Sequence, residues 1–148
     1  MPRLTAPQAR ERLAAARVAR LATVSAAGVP HLVPVTFAVA GDTVYTAVDG
    51  KPKSTTGLRR LANIRRSPAV AILADHYEED WTALWWARGD GTASVLDDPV
   101  AMARPLDLLA RRYPQYATVP VPGPVIAIQV TAWTGWTAAG PTASSPPG

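Results

Sequence analysis

The stretch from residue 20 to residue 48 limits the possible folds more than any other. Apolar residues recur with a period of two in residues 20–25, 31–39 and 43–48. The turns between them, residues 26–30 and 40–42, are far too short for a parallel crossover, which needs on the order of a dozen residues. The three segments are therefore expected to form an antiparallel meander. Pro34 falls inside the second segment and has no N–H to give a ladder. That part of the strand must lie at an edge, at a bulge or against a ligand.

Helices flank this sheet. Thr5 with Gln8 three residues on is a capping-box pattern, and Pro7 suits a first turn, so a helix is expected to about Arg17. Thr55 and Thr56 open a second helix with the apolar stripe Leu58, Leu61 and Ile64, stopped by Ser67 and Pro68. Asp97 can cap a third, running to about Arg112. Residues 69–74 read as a buried strand. Residues 81–95 read as a long strand bent or interrupted between Gly89 and Gly91, and residues 125–133 as a last strand after the extended linker 120–124. About six strands with short antiparallel connections and three helices predict a mainly β fold with flanking helices, a small closed or split antiparallel β-barrel. Residues 1–137 would form this single domain. Residues 138–148 hold only Ala, Gly, Pro, Ser and Thr and read as a flexible tail.

With 148 residues, 48% of them hydrophobic, the chain can build one core without disulfides or a structural metal. The absence of cysteine excludes thiol catalysis and thiolate metal sites. No apolar run approaches the roughly 20 residues that span a bilayer, and charges recur throughout residues 1–20. A cytoplasmic protein with no membrane partner is expected.

The net charge of +4 is unevenly spread. Lys51, Lys53, Arg59, Arg60, Arg65 and Arg66 follow one another with no acid between them, whereas Asp75, Glu78, Glu79 and Asp80 surround His76. The basic stretch holds no aromatic residue, so it lacks the stacking groups of a nucleic-acid surface, and no nucleic-acid partner is expected. Lys51, Lys53, Ser54 and Thr55 lead straight into a helix. Two ammonium groups, two hydroxyls and the N–H groups of a first helical turn can there converge on a phosphate. The same residues would also suit a solvated surface loop.

Other chemistries lack their residues. The two histidines, His31 and His76, have no metal-ligand spacing, so a metal site would need one of them with carboxylates from the acidic loop. The motifs Gly-x-Ser-x-Gly, Gly-x-Gly-x-x-Gly and Gly-x-x-x-x-Gly-Lys-Ser/Thr do not occur. Trp81, Trp85, Trp86, Trp133 and Trp136 form two clusters whose default roles are core and interface packing. Trp85 and Trp86 are adjacent in a predicted strand and so point to opposite faces. One of the two should meet a ligand pocket or a partner subunit.

The capped helix, the meander ending in Thr-Ala-Val-Asp-Gly, the basic run from Lys51 to Pro68 and the two segments Asp-His-Tyr-Glu-Glu-Asp-Trp and Leu-Trp-Trp-Ala-Arg-Gly-Asp-Gly together resemble the pyridoxamine 5'-phosphate oxidase-like split-barrel flavin and deazaflavin oxidoreductases of actinobacteria. The chain is most similar to their coenzyme F420-dependent branch, and the likeness spans residues 5–137. It implies a homodimer of six-stranded antiparallel split β-barrels of the FMN-binding kind, with two cofactor sites, each built from both subunits. It places the cofactor phosphate at Lys51, Lys53, Ser54 and Thr55, and the ring along His31, Leu32, Val33, Pro34 and Val35. Residues Tyr45 to Val48, including Ala47, would form the floor, and Trp85 or Trp86 with Arg88 would arrive from the other subunit. The implied activity is hydride transfer between the deazaflavin and a small unsaturated or quinone-like substrate. Tyr45, His31 and Tyr77 are the candidate proton donors. FMN is the alternative cofactor, and a non-catalytic cofactor- or haem-binding protein the alternative role. The surplus of arginine favours F420, because its oligoglutamate tail needs a positive surface such as Arg59 and Arg60, whereas FMN ends at its phosphate.

Overall fold

The computed structural model describes residues 3–48 and 55–139, with the side chains of residues 55–58 left aside. Helix α1 spans Ala6–Ala15 and begins with the expected reciprocal cap. The Thr5 N–H donates to Gln8 Oε1 (2.8 Å) and the Gln8 N–H to Thr5 Oγ1 (3.2 Å). The helix ends short of Arg17 because the Arg112 guanidinium takes its last carbonyls, donating to Ala14 O (2.6 Å) and to Ala16 O.

The strands are β1 (Ala19–Val24), β2 (Pro30–Val35), β3 (Ala38–Ala40), β4 (Thr43–Ala47), β5 (Ala69–His76), β6 (Trp85–Leu96) and β7 (Val125–Thr137). All pairings are antiparallel, in the order β2-β1-β5-β6-β7-β4-β3. There are seven strands and not six, because the expected strand 31–39 breaks at Thr36 and Phe37. The meander thereby resolves into two hairpins, and β2 and β3 become the two edges of one sheet. Since only two residues join those edges, the sheet must curl, and it forms a half-barrel. At the break, groups distant in sequence replace the ladder. The Tyr113 hydroxyl accepts the Phe37 N–H (3.1 Å) and lies 3.0 Å from the Phe37 carbonyl, while Thr46 Oγ1 donates to the Thr36 carbonyl (2.7 Å).

Residues 81–84 are not part of β6, as the sequence had suggested. Asp80 turns them into a 3-10 turn over Trp81–Ala83 by accepting from the N–H (3.0 Å) and the hydroxyl (2.6 Å) of Thr82. β6 stays continuous through Gly89 to Gly91, and the irregularity there is a bulge. Asp90 pairs with Ala132 and Gly91 with Val130, so Thr131 is the extra residue. A Cβ at Gly91 would lie 2.0 Å from the Gln129 carbonyl oxygen, so only glycine fits. β7 runs to Thr137, past the expected Trp133, because β6 pairs with it throughout and the Leu4 N–H donates to Gly135 O (3.0 Å).

Helix α2 (Thr55–Arg66) sets Leu61 and Ile64 into the main core beside Leu13, Leu21 and Ile72. Helix α3 (Pro99–Arg112) is capped by Asp98, whose carboxylate accepts the Ala101 N–H (3.0 Å), rather than by Asp97. It buries Leu109 in a second cluster with Ala38, Ala47, Tyr113 and Val125. Asp42 ties the barrel's far corner together, accepting from the Trp133 indole (2.9 Å) and the Arg10 guanidinium (3.1 Å), and both bonds hold its carboxyl below the usual range. The predicted tail beyond residue 139 lies outside the described residues.

Candidate functional site

The alternation along each strand sorts the predicted residues into two faces. Thr23 is opposite His31, Leu21 opposite Val33 and Ala19 opposite Val35, and Ala19, Leu21 and Thr23 are all buried. His31, Val33 and Val35 therefore belong to the inner face, which α2 covers. Asn63 pins the helix there, donating from Nδ2 to Thr23 Oγ1 (3.1 Å), with both side chains buried. Arg59 lies one turn before Asn63 on the same side of α2. This brings its charge, and that of Arg60, close enough to act on His31. Burial, then the Arg59 and Arg60 guanidiniums, hold the His31 imidazole below its ordinary value of 6.5. His31 Nδ1 is buried and has no hydrogen-bond partner. A buried polar atom left in this state beside two cations is what an anionic ligand would complete.

The structure brings His31, Arg59 and Arg60 together. The sequence reading missed the pair that holds them, Thr23 and Asn63, although an asparagine between Leu61 and Ile64 in an apolar stripe is a visible sign of a buried polar contact. Val35 and Ala47 are buried, and Val33 and Val48 are half-buried against the main core, so their side chains pack inward and only their backbone is left to meet a ligand. Pro34 stands exposed on the edge strand β2, where a missing N–H is tolerated. Tyr45 packs against the second cluster. Thr55 opens α2, while Lys51, Lys53 and Ser54 lie outside the described residues.

Trp85 and Trp86 do point to opposite faces. Trp85 packs against the main core under the Arg12 guanidinium, 5.3 Å from its ring centroid, at the end of β6 that pairs with His76. His31 lies toward the opposite end of the strands. Trp86 faces outward, paired across the ladder with Trp136, and the Arg88 guanidinium lies 5.5 Å from its ring centroid. Arg3, Tyr77, Trp86, Arg88, Thr134 and Trp136 line a groove of about 630 Å³ on this outer face. Within one chain, then, neither tryptophan meets His31. Among the described residues no group of three or more His, Asp or Glu could hold a metal, and no helix is long and apolar enough to cross a membrane.

Known structures share this architecture. An FAD-binding protein from Mesorhizobium loti superposes with a TM-score of 0.71 at 21% identity, over 90% of this chain and 94% of its own. The FAD-binding protein from Mycobacterium smegmatis gives 0.62 at 21%, over 91% and 96%. The heme storage protein HutZ from Vibrio cholerae gives 0.62 at 16%, over 90% and 96%. At these identities the likeness establishes the fold. No curated protein matches the sequence. The sequence profile of the Pyridoxamine 5'-phosphate oxidase family matches residues 5–137, nearly the whole described chain, and the protein belongs to that family.

Proposed function

We propose that the protein is a coenzyme F420-dependent oxidoreductase that works as a homodimer and passes hydride between the deazaflavin and a small unsaturated or quinone-like substrate. The observation that carries this reading is the buried, unpartnered His31 Nδ1 beside Arg59 and Arg60. The residues fit a phosphate-bearing cofactor. Among the described residues their charge is positive, the start of α2 lies in the same part of the chain, and Lys51, Lys53 and Ser54 immediately precede it in sequence. The family and its FAD-binding neighbours support a flavin-type ring. When bound, the deazaflavin supplies the hydride chemistry. The chain's own residues bind and orient: Lys51, Lys53, Ser54, Thr55 and the α2 N-terminus hold the phosphate, Arg59 and Arg60 the anionic tail, and the β2 backbone flanks the ring. Trp86 of a second copy completes the site.

A haem-binding role is the second reading, favoured by the heme storage neighbour and by the free ring nitrogen of His31. Fluorescence titration with F420 and with FMN at low and high salt separates the cases. Lys53→Ala is expected to weaken F420 binding about ten- to hundredfold, the loss of a charge-assisted contact, while Arg66→Ala changes it little. Because exposed charges are screened, the F420 affinity should fall steeply with salt, and the double change Arg59→Ala/Arg60→Ala should flatten that slope. Tight FMN binding with no detectable F420 binding would overturn the F420 assignment. A haem Soret band lost in His31→Ala would replace it by the second reading.

A further inference from the structure

We infer that the groove on the outer face is a binding site for a planar aromatic or conjugated carboxylate carrying a single negative charge. Its shape comes from the ladder. Trp86 and Trp136 are directly paired, as are Arg88 and Thr134 two residues further on, so two indoles, a guanidinium and a hydroxyl share one patch of sheet. Arg3 is brought to the same patch by its bridge to Trp136 and by the buried side chain of Leu4 next to it. Tyr77 forms the remaining wall. A volume of about 630 Å³ lies within the usual range for a small-molecule site.

Three observations name the ligand. The paired indoles offer flat apolar surface for a ring, which stacks there with offset or edge contacts. Thr134 Oγ1 is buried and has no hydrogen-bond partner, so a polar atom of a ligand would satisfy it. The charge is the third. Arg88 spends its Nε on Asp90 (2.9 Å) and keeps its terminal nitrogens for another acceptor, and Arg3 has no ion pair among the described residues. With Asp90 counted, the groove carries one net positive charge. That matches a carboxylate, which a guanidinium can grip with two parallel hydrogen bonds, better than a phosphate dianion.

As a statement about the substrate, this rests on the oxidoreductase reading. The binding itself needs no cofactor, so the two can fail separately. The cofactor-free full chain is titrated with 2-naphthoate and with its uncharged counterpart 2-naphthamide at fixed salt, following tryptophan fluorescence and heat. Saturable binding of naphthoate is expected, about tenfold or more weaker for naphthamide, and weakened about tenfold by Arg3→Gln. Arg3 is exposed, so that variant should fold normally. Thr134→Val, nearly the same in volume, should weaken naphthoate severalfold. Equal affinity for the two probes, quenching that never saturates, or unchanged affinity in both variants would overturn the inference. None of these results would alter the F420 titration.

Discussion

His31 shows how much of this site a single residue can report. Its imidazole is neutral in the folded chain over a range where the unfolded chain takes up a proton, because burial and then Arg59 and Arg60 lower its value below 6.5. Stability from this group is therefore complete above about pH 7 and is lost as pH falls through 6.5 toward the lowered folded value. His31→Asn should flatten the dependence of Tm on pH between about 7 and about 5. In an NMR titration of the native protein the His31 ring should protonate below 6.5, and inorganic phosphate should move that midpoint upward by offsetting the arginines. A midpoint at or above 6.5 without anion would remove the electrostatic account of the site. Arg59 is readable from its spacing after Lys51 and Lys53, and His31 only through the family resemblance. Asn63 shows in the apolar stripe as a polar residue to be buried, but its partner Thr23 does not, because their contact joins residues 40 apart in sequence and only the packing of α2 on β1 reveals it.

Among the elements, the β6–β7 pair has the most specific sequence demand. Gly89 and Gly91 looked alike in the sequence as breaks in a long strand, yet the structure gives them different duties. A Cβ at Gly89 would meet side-chain atoms only, Val130 Cγ2 at 3.1 Å and Trp133 at 3.2 Å, whereas at Gly91 it would strike the Gln129 backbone at 2.0 Å. Gly91→Ala is accordingly expected to cost about 3 kcal/mol or more, and Gly89→Ala about 1 kcal/mol, read as shifts in the urea midpoint at constant m. Similar midpoints for the two would mean that the bulge at Thr131 relaxes freely. The break at Thr36 and Phe37 was hidden for a comparable reason. Residues 31–39 keep their period of two throughout, and what ends β2 is a hydroxyl from Tyr113, 76 residues away. Strand alternation is a local signal, whereas the choice of partner strand is not.

At the scale of the whole molecule, the outer sheet face has a helical cover only at its β3–β4 end, where α3 packs on Ala38, Ala47 and Val125. α1 and α2 occupy the inner side, while β2, β1, β5 and β6 present Pro30, Leu32, Pro34, Arg20, Ala22, Leu73, Trp86 and Arg88 outward, as their registers require. Leu32 is 66% exposed, and two ion pairs lie on this face, Arg20 with Asp75 (3.7 Å) and Arg88 with Asp90 (2.9 Å). Paired charges around exposed aliphatic and aromatic groups suit a surface that meets its own copy, because opposite signs are available to both partners. His31 and Trp86 belong to opposite faces and opposite ends of one chain, so a cofactor that touches both must lie between two chains. Light scattering at micromolar concentration should therefore give twice the 15.6 kDa of the chain. Leu32→Glu should shift it toward that single mass, and Trp86→Ala should weaken association or cofactor binding by about 2 kcal/mol, as for a central interface aromatic. If the native protein scatters as one chain and still binds F420 tightly, then Trp86 has no part in the cofactor site, and the groove it lines serves the chain alone.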